Sequence, residues 1–300
     1  MTPKNRSVTE EQFSALLMAL ARDVVDAHIF WDQAKALRTQ MEQWPEVHTE
    51  GSAFWLYTLE AHQRTALSCL CRVFDQEPSA LHLRSLLLLT SDHRHYFGKG
   101  AAAQRQADDP FAQWLPDDAV APEPARVAAD IALCARTDPD VAALALFRDN
   151  FIAHRSTKLS MSEEPPTMAL EHERIERLLD RAHTLLNRYS YMRDASFFSM
   201  TPLGHDAVET IFKCVQGHLN YLRQQCEAEA AAAEARMLEF EQALQHINAM
   251  AEGRGEEARA ERKALAEQFG LTINDAGDRF GVVIFRGPKA SAPNGEPSTS

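Results

Sequence analysis

The chain has 300 residues, 45% of them hydrophobic and 25% charged, with a formal net charge of -12 at pH 7. That is the make-up of a soluble folded protein with enough chain for one large domain or two small ones. The negative balance excludes a protein that draws nucleic acid in by its overall field, so any RNA contact must rest on a local basic patch.

Twelve glycines and 14 prolines, few for this length and gathered in a few places, favour a helical chain over a turn-rich β protein. Thr9-Glu-Glu-Gln12 has the form of a capping box and opens a long helix. Phe13, Leu16, Leu17, Leu20, Val24, Ala27, Ile29, Trp31 and Leu37 recur at near-helical spacing as far as about Gln43, and Trp44-Pro45 stops it. A second helix is predicted from about Gly51 to Asp75. A third is predicted to begin at Pro78, apolar nearly all round and therefore buried, and to end before Gly98. Gly98, Gly100, Pro110, Pro116, Pro122 and Pro124 then punctuate an excursion with at most one short helical turn. Helices are predicted to resume over Glu123 to Arg136, and over Asp138 to His154 behind an Asp138 cap and Pro139. Two more follow, from Thr167 to about Arg193 and from near His205 onward.

Beyond residue 223 the character changes. Cys226 to Gln268 carries ten glutamates against five basic residues and too few apolar positions for a globular core, which reads as a projecting acidic helix or short coiled coil interrupted at Gly253 and Gly255. Asp278 to Gly287, DRFGVVIFRG, reads as one strand that needs a partner edge, and Ser291 to Ser300 as a disordered tail. The expected organisation is a helical domain over 1–223, an acidic helix or coiled coil over 224–270, and a short strand with a tail over 271–300. The cysteines, Cys69, Cys71, Cys134, Cys214 and Cys226, form no CxxC pair and read as buried free thiols in a reducing compartment. The N-terminus lacks an apolar signal region and no run approaches membrane-spanning length, so the expected location is cytoplasmic, away from the membrane.

The candidate chemistry lies in Val141 to Ser156, VAALALFRDNFIAHRS, where Arg148, Asp149, Asn150 and His154 fall within seven residues of an otherwise apolar helix. An arginine can hold a phosphate and a histidine can move a proton near neutral pH. Spacing alone does not select this pair, since chance supplies about three such Arg-to-His separations in a chain of this composition. Arg22 with His28 and Arg177 with His183 are two others. The apolar neighbours Leu144, Leu146, Phe147, Phe151 and Ile152 do single out the cluster at Arg148, because they restrict where its charges can go. Two readings stay open from the residues alone. One is a site for phosphate chemistry. In the other, Arg148 and Asp149 form interhelix salt bridges and His154 sits at a helix C-terminus. On an ideal helix Arg148 and His154 lie about 120° apart, so shared action on one phosphate requires the helix to end near His154 or a second copy of the chain. Asp92-His93-Arg94-His95 reads as the start of a solvated loop, and no metal or cofactor is expected.

The segment RDNFIAHRS resembles the Arg-x4–6-His motif of HEPN domains, and most closely the AbiU-type branch associated with abortive infection and toxin–antitoxin loci. The likeness extends to the first helix with Trp31 and Leu37, to VFDQEPSALHLRSLLLL with Asp75 and Ser79, and to HDAVETIFKCVQGHLNYLR, covering roughly residues 9 to 223. The resemblance implies an all-α up-and-down bundle that dimerises with the two motifs facing a shared cleft. It implies a metal-independent endoribonuclease in which Arg148 stabilises the charged phosphorane, His154 acts as general acid or base and Asp149 orients either of them. Asn150, Arg155 and Lys158 would contact RNA. Asn150 after Asp149 departs from the usual single polar residue and leaves open which of the two supports the arginine. The partners implied are an RNA substrate, a second copy of the chain and a cognate antitoxin. A reading from another class is a catalytically silent HEPN-type module that binds a nucleic acid, nucleotide or protein, with the acidic C-terminal helix as its interaction element.

Overall fold

In the computed structural model, which describes residues 8–105, 121–152, 170–201, 206–250, 255–268, 271–273 and 283–285, the first helix starts where its capping residues place it. Thr9 Oγ1 accepts the Gln12 backbone N–H at 3.2 Å and Gln12 Oε1 accepts the Thr9 N–H at 3.0 Å. Two helix-start donors are thereby satisfied, and Glu10 and Glu11 sit where the helix dipole favours negative charge. This helix, α1 (Glu10–Gln43), buries a stripe of Phe13, Leu17, Leu20, Val24, Ala27, Trp31, Ala34, Leu37 and Met41, one apolar residue per turn. It ends at Trp44, whose indole N–H donates to Gln40 Oε1 at 3.0 Å. Pro45 does more than stop α1. As a first-turn proline it starts a six-residue helix, α2 (Pro45–Glu50), before α3 (Ser52–Val73). Gly51, between them, is where the Trp55 indole tucks in to donate to the Val47 carbonyl at 3.1 Å. A Cβ at Gly51 would lie 2.9 Å from Trp55 Nε1.

The third helix does not begin at Pro78. Asp75 Oδ1 accepts the backbone N–H groups of Gln76 at 2.6 Å and Glu77 at 3.2 Å, so the chain turns there and Pro78 falls within the turn. Helix α4 (Leu83–Asp92) starts five residues later, capped by a histidine: His82 Nδ1 accepts the Ser85 N–H at 3.1 Å and Ser85 Oγ accepts the His82 N–H at 2.9 Å. Nor is it buried all round, since Leu88 is 38% exposed while Leu83, Leu86 and Leu87 are buried. After a 3-10 turn at Arg94–Tyr96, the predicted excursion begins with a two-turn helix, α5 (Lys99–Arg105). Helix α6 (Pro124–Leu133) leads to α7 (Pro139–Phe147), where Asp138 accepts the N–H groups of Asp140 and Val141 as the sequence predicts. Helix α8 (His172–Asp194) starts a turn and a half later than the apolar pattern suggested.

The core of this all-α bundle gathers the inner faces of α1, α3, α4, α6, α7 and α8. Charged ties close its sides. Arg193 of α8, 3% exposed, donates to Ser14 Oγ at 2.6 Å, lies 5.5 Å over the Phe13 ring and pairs with Asp194. Arg105 of α5 reaches both Glu10 and Asp194. Asp130 of α6, 2% exposed, accepts from Arg188 at 2.6 Å and from the Tyr189 hydroxyl at 2.8 Å. A buried carboxylate with such partners is compensated for its desolvation.

Helix α9 (Ala207–Met250) is 44 residues, about 66 Å at the standard rise. The division between two compact units, 1–216 and 217–300, falls inside it, at Gly217, its one glycine. A Cβ at Gly217 would meet nothing within 4 Å. In the first unit Phe212 is fully buried against Trp55, ring centroids 4.6 Å apart. In the second, α10 (Gly255–Gln268) precedes β1 (Leu271–Ile273), which pairs antiparallel with β2 (Val283–Phe285), Leu271 opposite Phe285 and Ile273 opposite Val283. The predicted strand thus finds its edge a few residues upstream. The expected tail, Ser291 to Ser300, lies outside the described residues. Cys69, Cys71 and Cys134 are buried as expected, and burial pushes the Cys71 and Cys134 thiols up to about 12. Cys214 and Cys226 are exposed, because α9 turns them outward. Among the described residues no helix is long and apolar enough to cross a membrane.

His28 of α1 is buried and donates through Nε2 to the Leu179 carbonyl of α8 at 3.0 Å, facing the His183 ring at 5.7 Å. Burial, against that hydrogen bond, holds its pKa below the ordinary histidine value. The unfolded chain therefore binds the proton more readily, and the stability His28 contributes is present above about pH 6.5 and lost as pH falls through that value toward the folded pKa. His62 and His82 are shifted in the same direction, both by burial. Urea midpoints should fall between pH 7.5 and 5.5, and His28→Gln should flatten that slope. An unchanged slope would remove His28 from the account.

Candidate functional site

Helix α7 delivers the motif. Its apolar residues Val141, Leu144 and Ala145 are buried, and the polar run at its C-terminal end is half-buried at the edge of the core. At Arg148 the helix widens into a π turn, Arg148–Ile152. The wider i to i+5 pairing is frequent at functional sites, and ideal-helix angles do not carry across it. The reckoning that set Arg148 and His154 about 120° apart therefore does not hold through this turn. His154, Arg155 and Lys158 lie outside the described residues.

Arg148 is held on two sides. Its Nε and Nη2 both donate to Asp149 Oδ1, at 3.0 and 2.8 Å. Its Nη1 donates to Asp75 Oδ1 at 2.5 Å. Asp149 Oδ2 in turn lies 3.4 Å from Nη2 of Arg136, in the connection between α6 and α7. Among the described residues three of the five guanidinium N–H groups are thus engaged, leaving one on each terminal nitrogen. The Arg148 side chain is 26% exposed, so the site is neither sealed nor a surface pair. Burial opposes the charge on both partners, and the pairing outweighs it. The Asp75 carboxyl is held below its ordinary value by the Gln76 and Glu77 N–H groups and by Arg148, while Asp149 and Asp75 raise the Arg148 pKa. The Cys71 thiol close by is kept protonated, first by burial and only partly offset by Arg148.

Asn150 takes a different part. Its Nδ2 donates to the Leu146 carbonyl one turn back, at 2.7 Å, so Asp149 is the neighbour that meets the arginine. Reading along the chain could not see Asp75 as the other partner, 73 residues upstream. Its local signal was the turn-forming D-x-x-P-S at Asp75 to Ser79. Arg136 was missed as well, with no pattern to mark it.

The competing Arg-to-His spacings serve the bundle. Arg177 forms a two-point contact with Asp140 at 3.1 and 2.9 Å, and His28 and His183 meet at the α1–α8 interface. His93 stacks on Tyr96 with centroids 5.2 Å apart, and no described group of three or more His, Cys, Asp or Glu could hold a metal ion. Two cavities of about 200 and 320 Å³ share Trp31 and Lys35 between α1 and α8, and Arg148 lines neither.

Removing Arg148 would take a charged partner from two carboxylates, of which Asp75 keeps the Gln76 and Glu77 N–H groups and Asp149 keeps Arg136. Arg148→Ala should cost about 1–3 kcal/mol in urea denaturation, the scale for hydrogen bonds to charged groups. Arg136→Ala removes a long, exposed contact and should cost no more than about 1 kcal/mol. Equal costs would contradict the described geometry.

No curated protein and no solved structure matches the chain. The AbiU2 family of HEPN type matches residues 10–210, which takes in the whole segment from the first residue of α1 through Asp75 and Arg148 to the start of α9. The chain belongs to that family and carries an abortive-infection-related HEPN domain.

Proposed function

We propose that the protein is a metal-independent HEPN-type endoribonuclease, acting as the toxin or effector of a toxin–antitoxin or anti-phage abortive-infection system. The observation that carries this reading is the posture of Arg148, gripped by Asp149 and Asp75 and, among the described residues, left with one unengaged N–H on each terminal nitrogen. A pre-oriented arginine needs little reorganisation to stabilise charge that develops on a phosphate. In the reaction, the 2′-oxygen of the RNA attacks the neighbouring phosphorus and the bond to the 5′-oxygen breaks. Arg148 neutralises the charged phosphorane. His154 removes the 2′-hydroxyl proton or supplies one to the departing oxygen. Asn150, Arg155 and Lys158 contribute backbone contacts. Two copies of the chain bring two motifs to one cleft, and a cognate antitoxin holds the enzyme in check. A cytoplasmic location goes with that role.

One observation favours the second reading, a catalytically silent HEPN-type binding module. Arg136 and Arg148 face Asp75 and Asp149, so the two cations of the cluster meet two carboxylates and no net positive charge is left for a phosphate. The readings separate in cells. Wild type, His154→Ala and Arg148→Ala would be induced at matched soluble levels and total RNA extracted in parallel. The nuclease reading expects growth arrest with RNA fragmentation by the wild type, and loss of both in either variant. Equal harmlessness of all three would put the binding module ahead.

A further inference from the structure

Of the two carboxylates on Arg148, only one can tell the arginine where it is. Asp149 is the next residue in the chain, is 41% exposed and moves with the turn that carries Arg148. Asp75 belongs to the connection between α3 and α4 and is fixed independently. Its Oδ1 is pinned by the Gln76 and Glu77 N–H groups. The Gln76 side-chain amide is itself anchored, donating to the carbonyls of Phe74 and Cys134, both at 2.9 Å. Cys134 ends α6, so that amide ties the Asp75 turn to the segment leading into α7. The far end of the turn is locked by His82, 2% exposed, in its reciprocal bonds with Ser85.

We propose that Asp75 is a positioning residue for Arg148, a fixed external point that sets where the guanidinium presents its free N–H groups. The inference rests on the nuclease reading and adds to it a residue outside the Arg-to-His motif. Asp75 touches no reacting atom. It acts by holding Arg148 against the pull of Asp149, so that the arginine meets the phosphorane without first reorganising.

The test uses the full chain with Asp75→Asn, Asp75→Glu and, as a control for loss of an ordinary ion pair, Asp23→Asn, which releases Arg72. Asparagine keeps an oxygen for the Gln76 and Glu77 N–H groups, so the turn survives while the charge facing Arg148 is lost. Cleavage of a fluorogenic RNA is measured beside the Nη–H resonances of Arg148, the groups that meet Asp75, identified by their disappearance in Arg148→Lys. Asp75→Asn should lower kcat by about 10- to 100-fold, the scale seen when a group that orients a reacting residue is removed, with KM within about threefold. It should also broaden or erase the Arg148 Nη–H signals. Asp75→Glu should recover part of both, and Asp23→Asn should change neither. Full activity or unchanged Nη–H signals in Asp75→Asn overturn the assignment. If the wild type cleaves no RNA while the signal still depends on Asp75, the nuclease reading and the positioning role fall together, and the contact is structural.

Discussion

The place of α7 is decided by one carboxylate. Asp140, 7% exposed in the first turn of that helix, is met by Arg174, Arg177 and Arg181 from three successive turns of α8. Such buried pairing adds little net stability, since desolvation takes back most of the attraction. Its effect is on register. Sliding α7 by one turn along α8 would move Asp140 from the middle of the arginine row to its end and part Arg181 from Asp138, which it meets at 2.9 Å. Asp130 does the same for α6 through Arg188 and Tyr189. Both helices that precede the motif are therefore fixed along α8 by charge, while the apolar faces only hold them close.

With α7 so placed, the polar run at its end is brought to the α3–α4 turn, and the cluster of Arg136, Arg148, Asp75 and Asp149 closes there. The helix does not run straight through this point but widens at Arg148. The family match covers both halves of this contact, the Asp75 turn and the Arg148 turn.

Most of the fold was legible because it rests on local rules. Thr9 with Gln12, Asp138 with Pro139 and the apolar stripe of α1 each announce themselves within a few residues, and the structure uses each as the sequence predicts. The start of α4 was misplaced because Pro78 is a good first-turn residue, whereas the histidine cap at His82 has no common sequence signature. At the candidate site the arginine and its adjacent aspartate could be read from the motif. The role of Asp75 could not, since a contact across 73 residues leaves no periodicity. Likewise Asn150 and Asp149 looked equivalent as polar neighbours of Arg148, and only the π turn decides that one faces the arginine while the other bonds back to Leu146.

The single glycine of α9 has a meaning beyond its open surroundings. Gly217 falls where the first unit ends and the second begins, within a helix that otherwise runs without interruption from Ala207 to Met250. Glycine in a helix interior weakens it by about 0.5–1 kcal/mol relative to alanine. Local opening of α9 is therefore easier at Gly217 than in the alanine- and glutamate-rich turns that follow it.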